Sequence, residues 1–135
     1  MKIVLDANIW VSYAIGKRLD ELKYVLLDPK ISIYSCDELI MEFLEVSLRP
    51  NLQKYISADR LDFVFEQLWN YTKRVSVPVP LKIAGDPGDD YLLQVCVDNE
   101  IEFLITGDKL LLGIKNYVNT EIVTYSGFIS LCVKK

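Results

Sequence analysis

Acidic residues in this chain gather at a few particular places. Asp6 closes the apolar run "KIVL", and Asp108 follows "FLITG". Glu38, Glu42 and Glu45 recur along "DELIMEFLEVS", while Asp86, Asp89 and Asp90 crowd "GDPGDD" directly ahead of "YLLQVCV". The chain has no histidine. That removes Ser-His and Cys-His nucleophiles, His-ligated zinc and imidazole acid–base chemistry together. Three or four converging carboxylates suit hard, oxygen-seeking ions such as Mg²⁺ or Mn²⁺, and the matching chemistry is phosphoryl transfer. Other phosphate sites fit less well, since there is no glycine-rich dinucleotide or P-loop motif. Asp6-Ala7-Asn8 also lacks the second aspartate of a D-x-D signature.

Each acid has a plainer reading. Asp6 and Asp108 are also what a turn or helix cap after a strand would contain. The three glutamates share one helical stripe, which can simply face water. Asp86 reads as an N-cap with Pro87 as first helical residue and Asp89 as the acidic third position. Asp90 is then left over, because a helix start needs no third acid. Taken together the acids resist the plain reading, since like charges at one sheet edge repel unless a cation or proton joins them.

The elements that must position them alternate. Lys2 to Leu5 reads as a buried strand, followed by a helix "NIWVSYAIG" with Asn8 as N-cap and Gly16 as stop. Leu19 to Leu27 continues as helix, and Ile31 to Ser35 is a second strand. Ser35 and Glu38 form an S-x-x-E capping box for a helix over Cys36 to Leu48, closed by Arg49-Pro50. Ser57 opens a further helix, "ADRLDFVFEQLWNYTKR", whose Leu61, Val64, Phe65 and Leu68 mark the buried face. "VSVPVPLKIAG", with its prolines, reads as edge segment and loop. A helix to about Asn99, a strand Glu102 to Thr106, a short helix "KLLLGI", a strand Glu121 to Tyr125 and a closing helix "SGFISLCV" complete the chain. The expected fold is α/β, with a mainly parallel central sheet flanked by helices on both faces, formed by residues 1–135 as one domain. In such sheets ligands bind outside the carboxyl ends of the strands, where Asp6, Asp108, the glutamate helix and Asp90 all fall.

Composition sets outer bounds. The 135 residues are 51% hydrophobic and 25% charged, enough for one real core, and no apolar stretch is long enough for a membrane span. Cys36, Cys96 and Cys132 lie in apolar patterns without metal-site spacing and read as reduced cysteines of a cytoplasmic protein. A net charge of −4 argues against a general nucleic-acid coat. It leaves room for a nucleic-acid enzyme whose acids hold divalent cations. The basic residues Lys17, Arg18, Lys109 and Lys115 are scattered and read as solvated surface.

The chain resembles the PIN-domain ribonucleases, specifically the toxin components of toxin–antitoxin systems. "IVLDANIWVSYA" resembles the family's opening strand and D-x-N motif, and "ELIMEFLEVSLRP" its acidic helix. "DPGDDYLLQVCV" resembles the third acidic motif, "FLITGDKLLL" the T-x-D motif, and "IVTYSGFISL" the terminal strand and helix. The resemblance implies a PIN-like three-layer fold with four or five strands in its sheet. It implies that Asp6, Glu42, Asp90 and Asp108 are catalytic metal ligands for Mg²⁺ or Mn²⁺, with Asp89 a further candidate. Asn8 and Thr106 would support those acids, and Glu42 is selected over Glu38 and Glu45. One departure is Ala7, where many relatives carry threonine. Implied too are metal-dependent cleavage of RNA, an antitoxin protein that blocks the acidic cleft, and a homodimer. Phe63, Trp69 and Tyr71 point away from the buried face of their helix and form a candidate interface. A catalytically silent binding protein, or a metal-dependent phosphatase or DNA nuclease on the same acids, are the competing readings. RNA and DNA cleavage assays with Mn²⁺ separate them.

Overall fold

A computed structural model describes residues 1–16, 19–77 and 87–133, with the side chains of all of these except 87–89 and 133. In chain order the elements are β1 (Lys2–Leu5), α1 (Ala7–Ile15), α2 (Leu22–Leu27), β2 (Ser32–Ser35), α3 (Asp37–Ser47), α4 (Pro50–Gln53) and α5 (Ala58–Asn70). These are followed by β3 (Thr72–Arg74), α6 (Pro87–Asp98), β4 (Phe103–Ile105), α7 (Lys109–Ile114), β5 (Asn116–Tyr117), β6 (Thr120–Val123) and α8 (Tyr125–Val133). The proposed N-cap Asp86, the prolines Pro78 and Pro80, and the basic residues Lys17 and Arg18 lie outside the described residues.

Among the described residues the sheet has six strands, in the order β3-β2-β1-β4-β6-β5. That exceeds the expected four or five. The additions are the two-residue β5 and β3, which corrects the expected helix after Ser57: it ends at Asn70, and its last residues "TKR" pair with β2 as a strand although they carry no alternating pattern. Every neighbouring pair is parallel except β5 with β6. From β1 the chain first builds outward through β2 and β3, then returns to lay β4 on the other side of β1. The strand order therefore reverses between β1 and β4, and ligand crevices form at such a point. Ile3, Val4 and Leu5 are buried, as are Ile33, Tyr34, Leu104 and Ile105, as strands covered on both faces require.

Helix α1 packs against both α3 and α5. Trp10 and Phe43 fill that layer, and both are almost fully buried. The periodicity of α5 is confirmed at its centre: Val64 and Leu68 are buried, while Leu61 and Phe65 are half-buried against the core. Ser57 caps α5 by accepting from the Arg60 amide at 3.1 Å.

Two capping expectations are corrected. Helix α1 starts one residue after β1, so Asp6 and not Asn8 is its N-cap residue. The Asp6 amide still pairs with the Ile105 carbonyl (2.9 Å), while its own carbonyl already accepts from the Ile9 amide (2.9 Å). Strand and helix thus share one residue and leave no room for a linker. Helix α3 likewise has Cys36 at its N-cap, without a side-chain cap bond. Ser35 is still in register with Arg74 of β3, so its hydroxyl turns sideways to Thr72 Oγ1 at 2.7 Å.

Gly16 ends α1 as expected, at φ 85°, with its amide donating to the Tyr13 carbonyl at 3.2 Å. A Cβ there would meet nothing within 4 Å, so a side chain costs only backbone strain. Gly16→Ala is expected to lower unfolding stability by about 1 kcal/mol. An unchanged urea midpoint would show that the turn relaxes into another conformation.

Candidate active site

Asp6 and Thr106 stand side by side because β1 and β4 run parallel with Leu5 opposite Ile105. Each is the first residue beyond its strand, at the carboxyl ends that flank the reversal of strand order. Both are buried, Thr106 completely. The Thr106 hydroxyl donates to Asp6 Oδ2 at 2.7 Å and accepts from the Asp108 amide at 3.0 Å. One hydroxyl therefore fixes the Asp6 carboxylate and the start of the turn that carries Asp108.

Asp6 is the N-cap residue of α1, yet its side chain makes no cap bond. The carboxylate turns toward Thr106 instead. Burial pushes its pKa above the ordinary 3.8, and the nearby Asp108 charge adds to this, while the Thr106 hydroxyl and the Ala7 and Asn8 amides pull the other way. A buried acid with a second acid nearby is an arrangement that a cation relieves.

Asp108 is a helix cap, as its plainer reading foresaw. Its Oδ1 caps α7, accepting from the Leu110 amide at 2.8 Å and the Leu111 amide at 3.4 Å. Its charge is also felt at Asp6. The plain reading of this residue as a cap is correct for one carboxylate oxygen.

Among the three glutamates of α3, the structure separates what periodicity left equal. Glu38 and Glu45 are exposed, and Glu45 pairs with Arg49 at 3.8 Å. Glu42 is half-buried and accepts from the Tyr91 hydroxyl at 3.3 Å. Tyr91 is buried, and burial first, then the charges of Glu42 and Asp6, hold its hydroxyl firmly protonated. Tyr91 is therefore a donor near two of the acids, and the sequence reading did not single it out. Its only signal was its place directly after Asp90. Asp90 itself is buried in the first turns of α6, although a solvated cap would be exposed. The side chain of Asp89 lies outside the described residues, and Asn8 is exposed at the start of α1.

Among the described residues, no three acids already form a group able to hold a metal ion. Asp6, Glu42 and Asp108 each spend an oxygen on a protein donor. The donor set nevertheless fits a hard ion. It consists of carboxylate and hydroxyl oxygens, the ligand types that Mg²⁺ and Mn²⁺ take.

Thr106→Val keeps the shape of the side chain and removes the bridge. The variant leaves a buried carboxylate oxygen and an amide without their partner, so a loss of about 1–3 kcal/mol is expected. The Thr106 bond favours the ionised form of Asp6, so the loss should be larger at neutral pH than in acid, where Asp6 is protonated. Urea titrations at two pH values check this. A loss independent of pH would mean that Thr106 contributes packing alone.

A sequence profile for the family described as PIN domain matches residues 2–110. No curated protein sequence matches the chain. Among solved structures, PAE2754 from Pyrobaculum aerophilum is similar with a TM-score of 0.66 and 13% identity, over 98% of this chain and 90% of that one. The PIN domain endonuclease Utp24 is similar with a TM-score of 0.56 and 17% identity, over 90% and 82% of the two chains. The RRP44 PIN domain of T. brucei gives a TM-score of 0.53 and 13% identity, over 98% and 81%. At these identities the likeness is one of fold.

Proposed function

Since this chain belongs to the PIN domain family, we propose that it is a divalent-metal-dependent ribonuclease that hydrolyses RNA phosphodiester bonds. The observation that carries the proposal is the buried Asp6 carboxylate. It is held by Thr106 and placed near Asp108 at the point where strand order reverses. A fold alone does not name a reaction; the chemistry lies in these side chains. That one similar structure is called a PIN domain endonuclease is consistent with it.

Asp6, Glu42, Asp90 and Asp108 would hold one or two Mg²⁺ or Mn²⁺ ions, with Asp89 as a further candidate. When bound, such an ion supplies an acidic water for in-line attack on phosphorus and positive charge for the leaving oxygen. Thr106 orients the Asp6 oxygens, the cap bonds fix one oxygen of Asp108, and Tyr91 sets the direction of Glu42. Burial of Asp6 and Asp90 keeps bulk water from screening the acids.

The proposal extends to a toxin role, with an antitoxin protein closing the acidic cleft, and to a homodimer. The dimer has support in the surface: Phe63 and Tyr71 are 46% and 48% exposed, so the core does not bury the second face of α5. Among the described residues, no helix is long and apolar enough to cross a membrane.

The test is cleavage of single-stranded RNA and DNA by the purified chain with and without Mn²⁺. Metal-dependent hydrolysis of RNA is expected. Cleavage of DNA alone, or release of phosphate from monoesters alone, would replace the ribonuclease with one of its rivals.

A further inference from the structure

We infer that Arg74, stacked on Trp69 at the carboxyl end of the edge strand β3, is a docking point for a backbone phosphate of single-stranded RNA as it enters the acidic site. The inference rests on the ribonuclease reading and adds to it a residue outside the acidic cluster. Arg74 is in register with Ser35, and Tyr34 before it pairs with Val4 of β1. The backbone of Arg74 thus reaches the same carboxyl end of the sheet as Asp6, two strand spacings from β1, or about 10 Å. It is also tied to α3, the helix that carries Glu42, because its Nε faces Asp37 in the first turn of that helix at 3.7 Å.

Three observations make this arginine a candidate for a polyanion. Its Cζ lies 3.9 Å from the Trp69 ring centroid, and Trp69 stacks in turn on Phe65, with centroids 5.9 Å apart and planes 21° apart. The ladder holds a long side chain in place, which reduces the rotamer entropy lost on binding. The Asp37 contact is longer than a hydrogen bond and exposed to water, so it does little to neutralise the charge. Finally, an edge lined by Asp6, Asp108 and Glu42 repels RNA, so a fixed cation at that edge is what a phosphate chain needs for approach.

The experiment uses the intact chain with a short fluorescein-labelled oligouridine and Ca²⁺ in place of Mn²⁺, reading Kd by anisotropy across a salt series. Arg74→Ala should weaken binding roughly tenfold or more and lower the salt slope by about one. Arg74→Lys should keep the slope but bind less tightly, because the stacked plane is lost. Trp69 is the exposed tryptophan and Trp10 the buried one, so RNA binding should also change the tryptophan emission, and Trp69→Phe should remove that change. Far-UV dichroism of the variants checks their folding.

A wild-type chain that binds RNA through Arg74 yet cleaves nothing would overturn the ribonuclease reading and support the docking point. Cleavage with Kd, KM and salt slope unchanged in Arg74→Ala would overturn the docking point alone. So would a chain that binds no oligouridine. If the variants leave RNA binding intact but turn a dimer into a monomer by light scattering, the face is an interface between copies and the inference falls.

Discussion

On the ribonuclease proposal, Asp6→Asn and Asp108→Asn are each expected to lower metal-dependent RNA cleavage by more than about 100-fold, beyond the 10–100-fold typical of a group that only supports a metal ligand. Thr106→Val, which acts through Asp6, should fall within that smaller range. The two asparagine variants should be as stable as the parent without metal, or more stable, for separate reasons. Asparagine caps a helix about as well as aspartate, so in Asp108→Asn the bonds from the Leu110 and Leu111 amides survive. The side-chain amide in Asp6→Asn keeps an acceptor for the Thr106 hydroxyl and carries no charge to desolvate.

The sign of the pH effect follows from Asp6. Its folded pKa lies above the ordinary 3.8, so the folded state holds the proton more tightly than the unfolded chain does. The associated stability is fully present below 3.8 and is lost as pH rises through the folded value. Asp6→Asn should remove that decline, and its advantage over the parent should appear on going from acid to neutral pH. Thermal melts in chelator across that range measure it. A large loss of stability in the metal-free variant at neutral pH would identify Asp6 as a structural acid and sink the proposed role.

The largest effect on stability is expected at Phe43. Its side chain is fully buried between α3 and the rest of the core, next in sequence to Glu42. Phe43→Ala should cost about 3–5 kcal/mol, out of a total of roughly 5–15 for a domain. Met41 is 65% exposed on the same helix, so Met41→Ala should change stability by less than about 0.5 kcal/mol. Urea midpoints of the pair decide the matter. Similar losses in both would mean that α3 is held by its own helix propensity and not by packing. Because α3 carries Glu42, Phe43→Ala should also reduce cleavage at temperatures where the chain remains folded.

The sequence by itself determined the alternation of strands and helices, the parallel sheet and the acids at strand ends. These are local properties: the apolar runs "KIVL" and "FLIT", the glycine stop at Gly16 and the Ser57 cap each act within a few residues. Tertiary structure decided the rest. Three glutamates on one stripe are equivalent until a neighbour breaks the tie, and the neighbour is Tyr91, 49 positions along the chain. Thr106 meets Asp6 across 100 positions, through a strand pairing that no local pattern encodes. Asn8 and Ser35 had the side chains for capping, but strand register claimed Asp6 for the helix start and turned Ser35 toward Thr72. Arg74 and Trp69 show the same limit, since a polar three-residue edge strand owes its place to the ladder of β2 and not to its own residues. Local composition fixes which elements form, whereas pairing between distant segments fixes which polar groups share a buried space, and there chemistry is set by desolvation and neighbouring charge.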